Sequence, residues 1–197
     1  QFFTFQQNLA TAYQLRIGDL FPYWSLAVEE QFYLIWPVLC FLLPLRWLIA
    51  SCIGMLIAAP LLRLVATPLV SSYNVIFCLT PFRMDLLAAG SLIGIFWHLG
   101  SDRIRRLEKP AWFFALISGL LLFPPALISP FWRAKANFWG FNFLGYSMSV
   151  VFFSAVVVIA LSSRHPLVKS ILRNKLLREI GSVSYTAYLI HVVVLHF

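Results

Sequence analysis

Long apolar runs alternate along the chain with short polar segments. Six runs stand out: Ser25 to about Leu45, Trp47–Leu62, about Ile76 to Leu99, Ala111–Ile128, Phe138–Ser162 and Val183–Phe197. A helix needs about 20 mainly apolar residues to cross the hydrocarbon core of a bilayer. The first five runs approach that length, and the last falls short. The pattern predicts an all-α, polytopic transmembrane helix bundle over residues 25–197, with about six spans, the last truncated. Residues 1–24 are mixed aromatic and polar and are expected to form an outer loop or interfacial segment. Ser25 suits an N-cap. Pro37 and Pro44 should kink or end the first span, Arg63 should close the second, and Pro81 offers a break in the third.

Composition removes the soluble alternative. Hydrophobic residues make up 61% of the chain and charged residues 11%, against about 25% charged in ordinary soluble domains. A soluble fold could not cover its surface from that supply, whereas lipid accepts apolar side chains on the outside of a helix. The net charge of +8 would suggest nucleic acid in a soluble protein. Here the basic residues concentrate in short loops, 101–109 and 163–179, so membrane topology accounts for them and no nucleic-acid partner is expected. Two spans separate these loops, which places both on one side, and their charge makes that side cytoplasmic. Arg133 and Lys135 run against the pattern. Cys40, Cys52 and Cys78 are odd in number, lie in or beside apolar runs and lack metal-ligand spacing. The pattern sets no oligomeric state. The sequence starts without an initiator Met or signal peptide and stops inside an apolar run, as a fragment of a longer protein would.

Ionisable groups inside a span cost about 2.5–3.5 kcal/mol each on insertion scales, so they turn inward and become site candidates. The first cluster is Ser25–Pro37, SLAVEEQFYLIWP. On a helix Ser25, Glu29, Tyr33 and Trp36 share a face and Glu30 points away. Glu29 could be a site carboxylate at the mouth of the bundle, or the two acids could merely complement a helix N-terminus. The second cluster is Pro81–Gly94, where Arg83 and Asp85 are two residues apart and cannot face each other on a helix. Each needs a partner elsewhere, or both lie at a break made by Pro81. Gly90-x-x-x-Gly94 would admit a neighbouring helix closely. The third is Gly181–His191, where Ser184, Tyr188 and His191 share a face with Tyr185 to one side. His98 and His165 sit at span ends. No nucleophile elbow, Walker loop or metal-ligand cluster occurs.

These three clusters, in this order, resemble the membrane acyltransferase 3 family, which includes bacterial O-acetyltransferases of surface polysaccharides. The carriers are WSLAVEEQFYLIWP from Trp24 to Pro37, Arg83-Met-Asp85-x-Leu87-x-x-Gly90, and Gly181-x-x-Ser184-Tyr185-x-x-Tyr188-Leu189-x-His191. The resemblance implies a complete fold of about ten spans in a bacterial cytoplasmic (inner) membrane, with no bound cofactor. It implies that an acyl group, usually acetyl, passes from acyl-CoA (acetyl-CoA) on the cytoplasmic side to a hydroxyl of a cell-surface glycan or similar acceptor. The family's catalytic His and an Arg-x-x-Arg pair lie in first spans that this chain does not contain. The chain is therefore expected to lack the first spans and the last one, and to be inactive alone. The resemblance leaves Glu29 as a supporting catalytic group and Ser25, Tyr33, Arg83, Asp85, Tyr185, Tyr188 and His191 as site residues, with no metal. His191 belongs to a different motif from the catalytic His, and Val192 follows it where the family often has Pro. A transporter or flippase lined by the same polar residues is the alternative.

Overall fold

The computed structural model describes residues 6–13, 23–128 and 137–195, and among them every regular element is helical. The order is α1 (Gln7–Ala12), α2 (Trp24–Leu42), α3 (Leu45–Ala66), α4 (Tyr73–Cys78), a 3-10 turn (Thr80–Phe82), α5 (Met84–His98), α6 (Ser101–Arg106) and α7 (Glu108–Ile128). A π-turn (Gly140–Gly145) then leads into α8 (Tyr146–Ser162), α9 (Pro166–Arg173) and α10 (Lys175–Leu195). Among the described residues, three helices are long and apolar enough to cross a membrane: Trp24–Leu42, Leu45–Ala66 and Gly140–Ser162. The apolar α5 is shorter. In α7 and α10 the side chains of residues 124–128, 189 and 191–195 lie outside the described set.

Burial is distributed as lipid solvation requires. The interior is built largely from small residues, including Ala27, Cys52, Ala59, Ala88, Ala89, Ala111 and Ala155. Large apolar side chains point outward, as with Phe41 at 89% exposure and Leu116 at 61%. In water that arrangement would leave the hydrophobic effect unused. In a bilayer the tails solvate Leu and Phe, and small residues let helix backbones pack closely. Gly119 shows the packing directly, since a Cβ there would lie 3.2 Å from the Phe152 ring of α8. Gly90 and Gly94 do not repeat it. A Cβ at either meets nothing within 4 Å, so no described helix fills the groove that their spacing offers.

Element boundaries shift for local reasons. Ser25 does not cap α2; Tyr23 holds the cap position without a side-chain bond, and the Ser25 hydroxyl faces Tyr188 instead. Pro37 lies inside α2, which ends at Leu42. The next helix runs through Pro60 and Arg63 to Ala66, because Arg63 has buried partners and does not have to reach an interface. The third apolar run is broken at Leu79–Arg83, as Pro81 allows. Within the segment 1–24, the described Gln7–Ala12 forms a helix with Gln7, Asn8 and Thr11 buried. The final helix starts at Lys175, ahead of its apolar run, and the loop before it holds the amphipathic α9.

Contacts define two ends. At one, the C-terminal part of α3 meets the N-terminal turns of α5 and α8 through Arg63, and α2 starts there too, with the Trp24 ring against Phe77 of α4 (4.6 Å). At the other, Ile104 of α6 is buried with Ala155, Val158 and Ile159 of α8, and Val168 of α9 packs on the same cluster. The two basic segments are therefore at one end, opposite Arg63 and Asp85. Gly100, at φ 133°, makes the sharp turn from α5 into α6. Only glycine enters that backbone region freely.

Candidate functional site

The end opposite the basic loops is held by three polar knots. In the first, Arg63 is fully buried and donates to Asp85 Oδ2 (2.7 Å), the Phe82 carbonyl (2.6 Å) and Ser147 Oγ (3.2 Å). One guanidinium thus ties α3 to the 3-10 turn, α5 and α8. Its fork suits this better than an ammonium would, because five donors are available in fixed directions. In the second, Asn137 donates to the carbonyls of Thr67 (3.1 Å) and Val70 (2.6 Å), and Asn142 donates to Thr67 Oγ1 (3.1 Å) and Asn137 Oδ1 (2.6 Å). The Thr67 bond satisfies a carbonyl left over at the end of α3, and the Val70 bond holds the turn that follows. In the third, Gln31 donates to Asn8 Oδ1 (3.1 Å), Asn8 to Thr80 Oγ1 (3.0 Å), and Thr80 to Gln31 Oε1. That ring fastens α1 and α2 to the Pro81 break.

The break sets Arg83 within an aromatic box. Its guanidinium carbon lies 4.2 Å from the Tyr146 ring centroid, 5.1 Å from Phe77 and 5.4 Å from Trp24. Such contacts favour a cation over a π face. Among the described residues no carboxylate pairs with Arg83. The box is closed by Tyr73, whose hydroxyl shares a 2.7 Å hydrogen bond with that of Tyr146 and whose ring stacks on Phe77. Burial pushes the Tyr73 phenol above its ordinary pKa, which keeps it a neutral hydrogen-bonding group.

Two cavities open here. One, of about 400 Å³, is lined by Trp24, Ser25, Val28 and Glu29 of α2, Arg83, Asp85, Leu86 and Leu87 at the start of α5, and Tyr146, Ser149, Val150 and Phe153 of α8. The other, of about 310 Å³, lies between α2 and α10 and is lined by Ser25, Leu26, Glu29, Ser184, Tyr185 and Tyr188. Ser25 Oγ and Tyr188 OH are 2.5 Å apart. Ser25 and Glu29 belong to both walls. Glu30 lines neither.

Most of the residues singled out from the motifs come together. Ser25, Glu29, Arg83, Asp85, Tyr185 and Tyr188 line the paired cavities. Asp85 is occupied by Arg63, so its carboxylate fixes the geometry near Arg83. Tyr33 is not brought in: it lies one turn beyond Glu29, is 55% exposed and lines neither cavity. The His191 side chain lies outside the described residues, as does His196. Arg63, Tyr146 and Gln31 were missed by motif reading. Arg63 had a signal, a cation at the end of an apolar run, which reads as the close of the span. Among the described residues no group of His, Cys, Asp and Glu could hold a metal.

An apolar exterior, a small-residue interior and one polar end define an integral membrane protein with a cation and a carboxylate in adjoining cavities. The family model of the acyltransferase domain (acyltransferase 3) matches residues 1–197, and the chain belongs to that family. No curated protein and no solved structure matches it.

Proposed function

We propose that this protein acts in transfer of an acyl group, acetyl in the form its motifs imply, from acyl-CoA to a hydroxyl of a cell-surface carbohydrate or similar acceptor. The family supports acyl transfer, and the Glu29 position, common to two cavities of different character, carries the finer reading. The cavity with Ser25, Ser184, Tyr185 and Tyr188 offers hydroxyls suited to a polyhydroxylated acceptor. The cavity with Arg83 offers N–H donors suited to the thioester oxygen.

A hydroxyl becomes a competent nucleophile as its proton is accepted. Glu29 accepts the hydrogen bond of the attacking hydroxyl and supports removal of its proton by the family's catalytic His. The oxygen then bonds to the thioester carbon, negative charge on the carbonyl oxygen is met by Arg83, and the C–S bond breaks. The products are an ester and CoA thiol, which receives the proton. The basic end faces the cytoplasm in this reading, in a bacterial inner membrane, and the acceptor approaches from the Glu29 end. A transporter or flippase would use the same cavities without a covalent change.

In the full-length protein, Glu29→Gln keeps the shape of the side chain and removes the supporting carboxylate. Acyl transfer should fall at least tenfold, the lower part of what an acid–base group supplies, with expression retained. Glu30→Gln should cost much less, since Glu30 lines neither cavity. Equal losses would assign both acids to the helix N-terminus and remove Glu29 from the chemistry.

A further inference from the structure

At the basic end a separate apolar cavity of about 410 Å³ lies between α5, α7 and α8, with Leu56 of α3 and Ile104 of α6 at its sides. Leu92, Ile93, Phe96, Phe114, Val151 and Val158 form its walls, and Ser154 supplies the one side-chain hydroxyl. Leu107 and Pro110 line it while remaining exposed, so it opens beside them. The neighbours of those two residues are Arg106 and Lys109, with Arg103 one turn before Leu107, and all three are exposed. Arg105 is paired with Asp102 at 3.3 Å, but among the described residues Arg103 and Arg106 have no acidic partner.

The adjacent α9 marks the level of the mouth. It is strongly amphipathic, with Leu167 and Ile171 exposed beside Lys169 and Arg173, the character of a helix lying in a membrane interface. Its Val168 packs on the Ile104 cluster, so the interfacial helix and the cavity mouth are neighbours.

We propose that this cavity is a binding site for an anionic phospholipid, its phosphate among Arg103, Arg106 and Lys109 and one acyl chain inside. From Val158 to Val150 the α8 wall runs about 12 Å at 1.5 Å per residue. A zigzag of C–C bonds of about 1.5 Å advances about 1.25 Å per carbon, so about ten carbons fit along it. The lining decides between two amphiphiles with phosphate heads. An acyl-CoA entering head-outward would place the two amides of its pantetheine arm along these walls, where their hydrogen bonds would go unmet. A phospholipid keeps its ester groups at the interface and presents only alkyl carbon to the cavity. The cavity meets the larger Glu29 cavity at Val150, which lines both, and shares none of its polar side chains.

The test is native mass spectrometry of the purified protein with dioleoyl-phosphatidylglycerol and dioleoyl-phosphatidylcholine. Each surface cation contributes about 1 kcal/mol toward an anionic lipid, about fivefold in affinity. Phosphatidylglycerol should therefore be retained at least tenfold better than phosphatidylcholine, and Arg103→Gln with Arg106→Gln should weaken it about thirtyfold. Both positions are exposed, so folding is unaffected. Ser154→Phe, which fills the cavity, should also displace phosphatidylglycerol, and a melting curve in phosphatidylcholine nanodiscs identifies any variant lost to misfolding. Equal retention of the two lipids would overturn the proposal. So would a folded Ser154→Phe protein with full phosphatidylglycerol affinity, or displacement of that lipid by decanoyl-CoA at equal concentration.

Discussion

Replacing Asp85 with Asn tests what holds the candidate site in shape. Arg63 is 0% exposed and its side chain donates to the Asp85 carboxylate at 2.7 Å. Asn keeps the volume and one acceptor but removes the charge, leaving a buried guanidinium uncompensated. Breaking one side of such a pair costs about 3–5 kcal/mol. Arg63 also donates to the Phe82 carbonyl at 2.6 Å, so the loss should reach the turn that carries Arg83 and loosen its box of Tyr146, Phe77 and Trp24. Removing both charges with Arg63→Met and Asp85→Leu leaves no unpaired charge, and should restore more than half of the loss, since apolar replacement of buried pairs is often neutral. Reversible unfolding in mixed detergent, followed by far-ultraviolet circular dichroism, gives the two free energies. Asp85→Asn within about 1 kcal/mol of the parent would show that the ion pair does not hold the site, as would a double variant less stable than Asp85→Asn alone.

Two further outcomes follow from the same geometry. Tyr188→Phe removes one partner of the 2.5 Å contact with Ser25 and should weaken acceptor binding about fivefold, near the 1 kcal/mol of a typical hydrogen bond; adding Ser25→Ala should add little, and steady-state KM for the acceptor measures both. Reporter fusions after Lys109 and after Lys175 should both report the cytoplasmic side; a periplasm-active reporter at either position would reverse the topology.

The helices were largely legible because apolar runs and lipid solvation leave few alternatives. The break at Pro81 was legible as well, since Arg83 and Asp85 could not face each other on one helix. The identity of Asp85's partner was not. A cation near the end of an apolar run reads as an interface anchor, and only tertiary packing shows that α3 continues past Arg63 with its guanidinium buried. The box around Arg83 draws Trp24, Phe77 and Tyr146 from three distant segments, and no local pattern joins them. Periodicity put Tyr33 on the Glu29 face correctly. It could not show that the cavities end before Tyr33, since α2 has no buried residue beyond Val28. The π-turn ahead of Tyr146 left no sequence mark beyond the glycines at its ends, Gly140 and Gly145.

In the proposed reaction a covalent bond is made at the Glu29 end, and the fate of a labelled acyl group decides whether it is. Membranes containing the protein in its native setting would be given acyl-CoA labelled in the acyl carbonyl carbon. Label should appear in an alkali-labile ester on the glycan fraction, with one equivalent of free CoA thiol for each ester and at least a tenfold drop in both with Glu29→Gln. Label that crosses the membrane or stays bound with its thioester intact, and no thiol released above a membrane lacking the protein, would contradict it and leave a transporter in its place.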